Sequence, residues 1–323
     1  MGVVNPLVRP VRRTSAVVAA LLTGALASGC TSGVANPAVP PGTEPASSST
    51  AVVSPTASAS SAATVRPSTR PATAPGLRIG SVSNFRDVAG AGLELPDGHR
   101  MVTGLVYRSA KLATASSGDI GRLKKAGVDL VIDLRTNDVA SRSPDPAIPG
   151  ADHLLVNIYA VTRSPTTTYR SVAAARAHMR QLNIDFVDKR AQRDRIAEAL
   201  TLIASADGPV IVHCTEGKDR TGWISAMLQL VAGADRRQVL AEYLKSNEYR
   251  AELLNSRYAA TKRARGTVAA QTEHALLAVD ASYLGAGLDE MDQRYGGLDG
   301  YLTDGLGLSQ AIVAKLRALL VAA

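Results

Sequence analysis

The sequence predicts an α/β fold: a mostly parallel central sheet flanked by helices, with a helical C-terminal part. In the middle of the chain, short β-branched segments bounded by polar residues or glycine alternate with helical patterns, which is typical of parallel strands joined by crossover helices. After Gly233 the pattern becomes almost wholly helical. We expect these C-terminal helices to pack against one face of the sheet.

Three segments have the pattern of strands in this sheet. Residues 128–134, with the sequence VDLVIDL, and Val210–His213 are short and rich in β-branched side chains, as buried parallel strands are. Residues 153–158 are the third candidate. Because parallel strands need long crossover connections, we expect a helix between successive strands.

Helical patterns lie between and after these strands. A serine N-cap begins the predicted helix Ser117–Lys125, and an amphipathic pattern predicts a helix over 189–205. Another helix is expected to begin at about Thr221. Ser309 is the predicted N-cap of the last helix. The predicted C-terminal helices cover residues 237–245, 248–263, 268–284 and 309–320.

The first thirty residues have the pattern of an export signal. Three arginines precede an apolar run over 16–27 that is too short to span a bilayer comfortably. The run ends in Ala27-Ser28-Gly29-Cys30, which resembles a bacterial lipobox whose cysteine is diacylated after cleavage. We therefore expect lipidation of Cys30 and anchoring of the exported protein to the outer face of the cell membrane. The alternative is an ordinary signal peptide cut near residue 29 and a secreted product.

Residues 31–75 form a segment of different composition. Ala, Ser, Thr, Pro and Val dominate it, and it holds eight of the sixteen prolines but only three charged residues. Such a composition buries too little apolar surface to fold, so we expect a disordered tether. The remaining residues, 76–323, are expected to form one domain.

Composition restricts the classes of function. The formal net charge is +8, but residues 1–75 contain five basic residues and one acidic residue, so half of the excess lies outside the predicted domain. Aromatic residues make up only 4% of the chain and no stacking motif occurs, so nucleic acid is not an expected partner. Two cysteines exclude a disulfide scaffold and four-cysteine zinc sites. We expect no metal ion or other cofactor.

The strand Val210–His213 runs directly into a loop and a helix that carry the strongest chemical pattern. Cys214 follows the strand, and Arg220 follows the cysteine by six residues. Backbone N–H groups at a helix N-terminus bind phosphate, and the same field stabilises a thiolate. We therefore expect Cys214 to be a nucleophile and Arg220 to hold two phosphoryl oxygens with its planar guanidinium. We call residues 214–220 the signature loop.

Other residues of this region are expected to assist. Asp219 is the first candidate for the acid that protonates the leaving oxygen, and bracing of the loop is its alternative role. Lys218 is expected to contact phosphate, with a solvated side chain as the alternative. The expected substrate-binding residues are Thr215, Glu216, Gly217, Lys218 and Thr221. The expected supporting residues are His213, Arg108 and Asp87. The histidines expected to be only surface or core residues are His99, His153, His178 and His274.

Several segments, taken in order, resemble bacterial tyrosine phosphatases of the cysteine-based superfamily, and are similar to the secreted mycobacterial protein tyrosine phosphatase B group. The resemblance covers nearly all of 76–323 and implies hydrolysis of phosphotyrosine through a phosphocysteine intermediate. Some members of that group also act on phosphoserine, phosphothreonine and phosphoinositides. The segments are residues 84–88 (NFRDV), 106–110 (VYRSA), 131–135 (VIDLR), 213–222 (HCTEGKDRTG), 243–247 (YLKSN) and 301–308.

The resemblance also bears on the acid. Eukaryotic tyrosine phosphatases carry a mobile Trp-Pro-Asp acid, but Trp223 is the only tryptophan here and residues 156–168 contain no aspartate. This departure favours Asp219. The resemblance links Lys218 and Asp219 to the handling of lipid phosphates and to an acid within the loop.

These observations leave three candidate functions for the chain. The first is hydrolysis of phosphotyrosine, and the second is hydrolysis of a phosphoinositide or inositol phosphate. The third is phosphate binding without turnover, as in a pseudophosphatase, although a pure binder needs no nucleophile. The basic segment 163–190 is interpreted either as a helical lid that meets an anionic substrate or as a solvated helix face.

Overall fold

The computed structural model describes residues 76–163 and 167–322. The predicted export signal with Cys30 and the predicted tether 31–75 lie outside the described residues. None of the helices in the described part of the chain combines the length and the apolar character that a membrane span requires.

The described residues form a five-stranded mixed sheet. The first two strands pair antiparallel and all other neighbours pair parallel, which confirms the predicted mostly parallel sheet. The sequence pattern did not predict the first two strands. One has only two residues, and the other carries the polar residues Arg108 and Ser109 although it is buried. The strands are β1 (Arg86–Asp87), β2 (Val106–Ser109), β3 (Leu130–Asp133), β4 (Asp152–Leu155) and β5 (Val210–His213). Their order in the sheet is β1-β2-β5-β3-β4.

Helices flank this sheet, and two predicted N-caps are confirmed. The Ser116 hydroxyl accepts a hydrogen bond from the Asp119 N–H, and the Ser309 hydroxyl accepts one from the Ile312 N–H. The helices are α1 (Ser117–Lys125), α2 (Asn137–Arg142), α3 (Val172–Asp188), α4 (Arg190–Ser205), α5 (Arg220–Ala232), α6 (Arg236–Tyr249), α7 (Ala251–Arg265), α8 (Thr267–Leu277), α9 (Ala281–Tyr295), the single turn α10 (Leu298–Gly300) and α11 (Gln310–Leu320).

One predicted helix is wrong, because residues 268–284 contain nearly all of α8 and the first turn of α9. The break lies between α8 and α9, where the Asp280 side chain caps α9 by accepting from the Ser282 N–H. Asn247 stabilises the break from a distance, since its side chain both donates to the Val279 carbonyl and accepts from the Val279 N–H. A long-range side chain therefore supplies the hydrogen bonds that a continuous helix would have supplied locally.

The two faces of the sheet bury different layers. On one face, side chains such as Ile132 and Val212 belong to the main core, which also contains residues of α4, α5, α9 and α11. This confirms the expected packing of the C-terminal helices. On the other face, Val131 and Ile211 pack with Phe85 and with residues of α1. Because side chains alternate along a strand, the central strands β3 and β5 bury apolar side chains on both faces and are nearly continuous hydrophobic runs.

Helix α5 occupies the centre of the helical layer. Trp223 is fully buried there, and its ring meets Tyr301 edge-on with centroids 5.9 Å apart. Helices α7 and α8 pack against each other, and α8 also packs against α3. The carboxyl end of β5, the central strand, points at the N-terminus of α5, and parallel α/β sheets bind ligands at this edge.

Candidate active site

The signature loop joins β5 to α5 and is held against β2. Gly217 has a φ of +66°, and a Cβ at this position would lie 2.4 Å from the backbone of Ser109. Asn84 Nδ2 donates to the Gly217 carbonyl at 2.8 Å, and Arg108 Nη2 donates to the same oxygen at 2.9 Å. Because N–H and C=O point in opposite directions across a trans peptide, fixing this carbonyl toward β2 directs the following N–H away from it.

Cys214 is buried at the end of β5, beside the first turn of α5. Burial opposes ionisation of its thiol, but the charge of Arg220 and hydrogen bonds from the side chain and backbone of Thr221 outweigh burial. The pKa of the Cys214 thiol is therefore lowered from its ordinary value. The arrangement favours a thiolate, the form of cysteine that acts as a nucleophile.

Arg220 is buried next to this thiol and is fixed by three neighbours. Nη1 donates to the Leu134 carbonyl at 3.1 Å, Nη2 donates to Thr215 Oγ1 at 3.2 Å, and the guanidinium lies 4.5 Å from the centre of the Tyr159 ring. Among the described residues Nε has no hydrogen-bond partner. A preorganised guanidinium with an unused donor is suited to a phosphoryl oxygen. The position of Tyr159 beside Arg220 was not predicted from the sequence, because no local motif marks this residue.

Lys218 and Asp219 form an ion pair inside the loop. Lys218 Nζ lies 2.9 Å from Asp219 Oδ2, and the lysine side chain is almost wholly buried. Asp219 is the N-cap residue of α5, but its side chain makes no capping hydrogen bond, so the carboxylate is not committed to that role. Burial lowers the pKa of His178 in α3, and the charge of Asp219 opposes this effect. His178, expected to be only a surface or core residue, therefore lies close enough to Asp219 for the two charges to interact.

A buried group of charges lies behind the loop. Arg86 Nε is 2.8 Å from Glu242 Oε1, and Arg108 Nη1 is 3.7 Å from the same oxygen. Burial and the charge of Arg86 lower the pKa of Arg108 to about 9, while Glu242 opposes this shift. Two guanidinium groups thus share one carboxylate, which leaves an excess of positive charge behind the loop. Arg108, an expected supporting residue, contacts the loop through the Gly217 carbonyl.

Asp87, the other predicted supporting residue from this part of the chain, does not reach the loop. Its carboxylate accepts hydrogen bonds from the N–H groups of Ala89 and Gly104, at 2.8 and 2.5 Å. Burial raises its pKa to about 6, although these N–H groups oppose the shift. Within the described chain these hydrogen bonds place Asp87 against the segments that follow β1 and precede β2 and not against the signature loop.

His213 belongs to a second buried group of charges. Its Nδ1 lies 3.4 Å from the Cys214 carbonyl, and its Nε2 lies 3.2 Å from Asp145 Oδ2. His153 also approaches Asp145, and their hydrogen bond raises the pKa of His153. The four residues of the described chain whose potential ligand atoms cluster within 4.8 Å are Asp133, Asp145, His153 and His213.

This cluster is held together by a guanidinium. Arg135 Nη2 lies 2.7 Å from Asp133 Oδ2 and 2.5 Å from Asp145 Oδ2. Because one cation already pairs with both carboxylates, we assign the cluster a structural role beneath the signature loop and no metal ion. His153, expected to be only a surface or core residue, takes part in this network.

The remaining predicted residues lie at the outer side of the loop. Thr215 contacts Arg220, as described, and the Glu216 carboxylate pairs with Arg250 at the junction of α6 and α7.

The basic segment 163–190 contains α3, which packs against α8 and α9. Arg176 and Arg180 in α3 lower the pKa of Asp280, after the larger effect of hydrogen bonds from Ser282. Part of the basic surface of α3 therefore lies near an acidic residue of the fold.

Comparison with known proteins identifies similar chains. A sequence model described as the tyrosine phosphatase family matches residues 77–322. A Cupriavidus necator protein that carries the name tyrosine-protein phosphatase is 33% identical over 245 residues, which cover 75% of this chain and 86% of that protein. The triple specificity protein phosphatase PtpB of Mycobacterium tuberculosis is 31% identical over 274 residues, covering 74% and 96%. The crystal structure of Pseudomonas aeruginosa TpbA with phosphotyrosine covers 66% of this chain and 98% of its own, with 17% identity and a TM-score of 0.30.

The charge environment of Cys214 generates a prediction about its reactivity. Because Arg220 and Thr221 lower the thiol pKa, the rate of alkylation of Cys214 by iodoacetamide should inflect at a pH below the ordinary thiol value of about 8.5. Arg220→Met should move the inflection to higher pH. The rate is measured by mass spectrometry of the peptide that contains Cys214.

Arg257→Met is the matched control, because it removes an exposed arginine of α7. Its inflection should coincide with that of the parent protein. An inflection at the ordinary value, unchanged by Arg220→Met, would show that Arg220 does not stabilise the thiolate.

Proposed function

The chain belongs to the tyrosine phosphatase family, and we propose that it hydrolyses phosphotyrosine by covalent catalysis at Cys214. Membership makes it a protein-tyrosine phosphatase. The observation that carries the proposed chemistry is the buried thiol with a lowered pKa, beside a fixed guanidinium and the first turn of a helix. Such a site supplies a nucleophile and binds the oxygens of the group it attacks.

In the first step the Cys214 thiolate attacks phosphorus, and the bond from phosphorus to the tyrosine oxygen breaks. Arg220 and the loop N–H groups bind the phosphoryl oxygens, whose charge is redistributed in the transition state. A proton passes to the departing phenolate. In the second step water attacks the phosphocysteine, a base takes the proton of this water, and the thiolate leaves with stabilisation from Thr221.

Asp219 is our candidate for the group that gives and then takes these protons. It adjoins Arg220, and its carboxylate pairs with Lys218 and caps no N–H group of α5. In the proposed first step Asp219 gives a proton to the departing phenolate, and in the second step it takes a proton from the attacking water.

The depth of the thiol supports an aryl substrate. Cys214 is only 2% exposed and the ring of Tyr159 covers one side of Arg220. A phosphoryl group on the long tyrosine side chain reaches further into such a site than one on serine. The second candidate class is a phosphoinositide or inositol phosphate, and the observation that favours it is the additional buried cation, Lys218, within the loop.

The nucleophile is tested by substitution. Cys214→Ser should lower turnover of a phosphotyrosine peptide by about 10⁴-fold or more, because an alcohol at this position lacks the low pKa of the thiol. It should retain binding of inorganic phosphate, measured by calorimetry. The measurement compares kcat on the peptide with the parent value.

Cys30→Ser is the matched control, since it replaces the other cysteine of the chain and should leave kcat unchanged. Undiminished turnover by a pure Cys214→Ser preparation would exclude the phosphocysteine route.

The acid is tested by varying the leaving group. Asp219→Asn should slow hydrolysis of phenyl phosphate by about 100-fold, because the poor leaving group needs a proton. Hydrolysis of p-nitrophenyl phosphate should fall much less, since its leaving group is stable as an anion. Single-turnover rates are compared for both substrates.

Asp304→Asn, at an exposed site, is the control and should leave both rates unchanged. Equal losses on the two substrates would mean that Asp219 acts on the loop geometry and not on the proton.

The place of action is a separate proposal. The apolar run, the Ala27-Ser28-Gly29-Cys30 sequence and the proline-rich segment 31–75 support export, lipidation of Cys30 and a tether that separates the catalytic domain from the outer face of the membrane. A phosphatase held there would act on phosphorylated proteins or phosphoinositides outside the cytoplasm. A diacylated cysteine would supply the two lipid chains that stable anchoring requires.

Expression in a bacterium with a lipoprotein pathway tests the anchor. The mature chain should begin at Cys30, carry a mass increase that corresponds to acyl chains, and partition into the detergent phase of Triton X-114. Cys30→Ser should move the protein to the aqueous phase. A mature N-terminus at another residue, without acyl chains, would replace the anchor with ordinary secretion.

A further inference from the structure

Glu216 is an unexpected residue in a loop that binds an anion. It lies two residues after the nucleophile, and its side chain is 37% exposed. Like charges separated by several ångströms repel each other strongly near a protein surface. An unpaired carboxylate here would therefore weaken binding of a phosphoryl dianion.

Arg250 faces this carboxylate from another part of the chain. It lies at the junction of α6 and α7, with a side chain that is 0% exposed, and its Nη2 donates to Glu216 Oε2. Nη1 donates to the Leu277 carbonyl at the end of α8, at 2.6 Å. The second hydrogen bond fixes the guanidinium, so that the arginine determines where the glutamate points.

We propose that Arg250 is a positioning residue that neutralises Glu216 and holds its carboxylate away from the bound phosphate. This inference rests on the proposed phosphate chemistry of the signature loop. Within the described chain, the hydrogen bonds of Arg250 go to Glu216 and to the Leu277 carbonyl and not to Cys214, Asp219 or Arg220, so its contact with the signature loop is made through Glu216.

The surroundings of the pair support this role. The Glu216 carbonyl accepts from Asn84 Nδ2 at 3.1 Å, so the backbone is held and only the side chain can reorient. Glu216 and Arg250 both line a cavity of about 540 Å³ that gives the side chain room to move. Lys111, a cation on the same cavity, donates to Ser143 Oγ at 3.0 Å. Within the described chain, Arg250 is the residue that forms an ion pair with Glu216.

A cycle of substitutions separates neutralisation of charge from mechanical bracing. Inorganic phosphate binding is measured by calorimetry in the Cys214→Ser protein carrying Glu216→Gln, Arg250→Met or both. Arg250→Met should weaken binding about 10-fold, because it exposes the phosphate to an unpaired carboxylate. Adding Glu216→Gln should return the affinity to within about 3-fold of the reference, because the repelling charge is gone.

Glu216→Gln alone keeps the experiment decisive if Arg250→Met does not fold. It leaves the positive charge of Arg250 near the site, so phosphate should bind about 3-fold more tightly. Weaker binding by this variant would overturn the inference. So would equal weakening by Arg250→Met and the double variant, which is the result that a purely structural brace predicts.

Two further measurements complete the test. In the protein with Cys214 intact, Arg250→Met should raise KM for a phosphotyrosine peptide with little change in kcat, and 0.5 M NaCl should shrink the increase in KM. Arg257→Met, which removes an exposed arginine of α7, should change neither constant. If the parent protein is inactive but the phosphate affinities of the variants change as expected, the proposed hydrolysis is contradicted and the role of Arg250 is not. If the parent is active but adding Glu216→Gln does not restore phosphate binding, the role of Arg250 is contradicted and the hydrolysis is not.

Discussion

The close contact between the signature loop and β2 is the constraint on which the site depends. Gly217 approaches the Ser109 backbone so closely that a side chain cannot fit, and its carbonyl accepts from Asn84 and Arg108. This contact turns carbonyl oxygens away from the place where an anion binds. Without it, the same sequence of loop residues would present donors and acceptors alike to phosphate, and the thiol would lack a defined field.

Buried arginines other than Arg220 are the second organising feature, and they are distributed in three groups around the loop. Arg108 with Arg86 lies behind it, Arg135 lies beneath it, and Arg250 lies at its outer side. Each is paired with at least one carboxylate, because an unpaired buried charge is strongly destabilising. The groups differ in the number of carboxylates for each arginine. Arg86 and Arg108 share Glu242, whereas Arg135 pairs with two aspartates. The protein thus combines an electropositive site with few unpaired charges in its interior.

The elements that the sequence predicted correctly are those specified by local chemistry. Val210–His213 is a buried strand because it is a short β-branched run, and α1 and α11 begin where serine hydroxyls cap their N–H groups. The division of residues 268–284 into two helices was missed, because Asn247, more than thirty residues away, supplies the partners at the break. Strand β1 was missed because two residues carry no periodic pattern.

The same distinction applies to the site. The signature loop with its cysteine, arginine and aspartate was predictable from local sequence, because these residues lie within seven positions and their chemistry follows from a strand, a tight loop and a helix. Tertiary structure decided which distant residues act on them. Tyr159, His178 and Arg250 come from three separate segments that no spacing rule connects to the loop, and the Asp87 carboxylate bonds to Ala89 and Gly104. A hydrogen bond or ion pair depends on distance in space, and the packing of α3, of the α6–α7 junction and of the turn after β4 brings the first three side chains within reach of the loop.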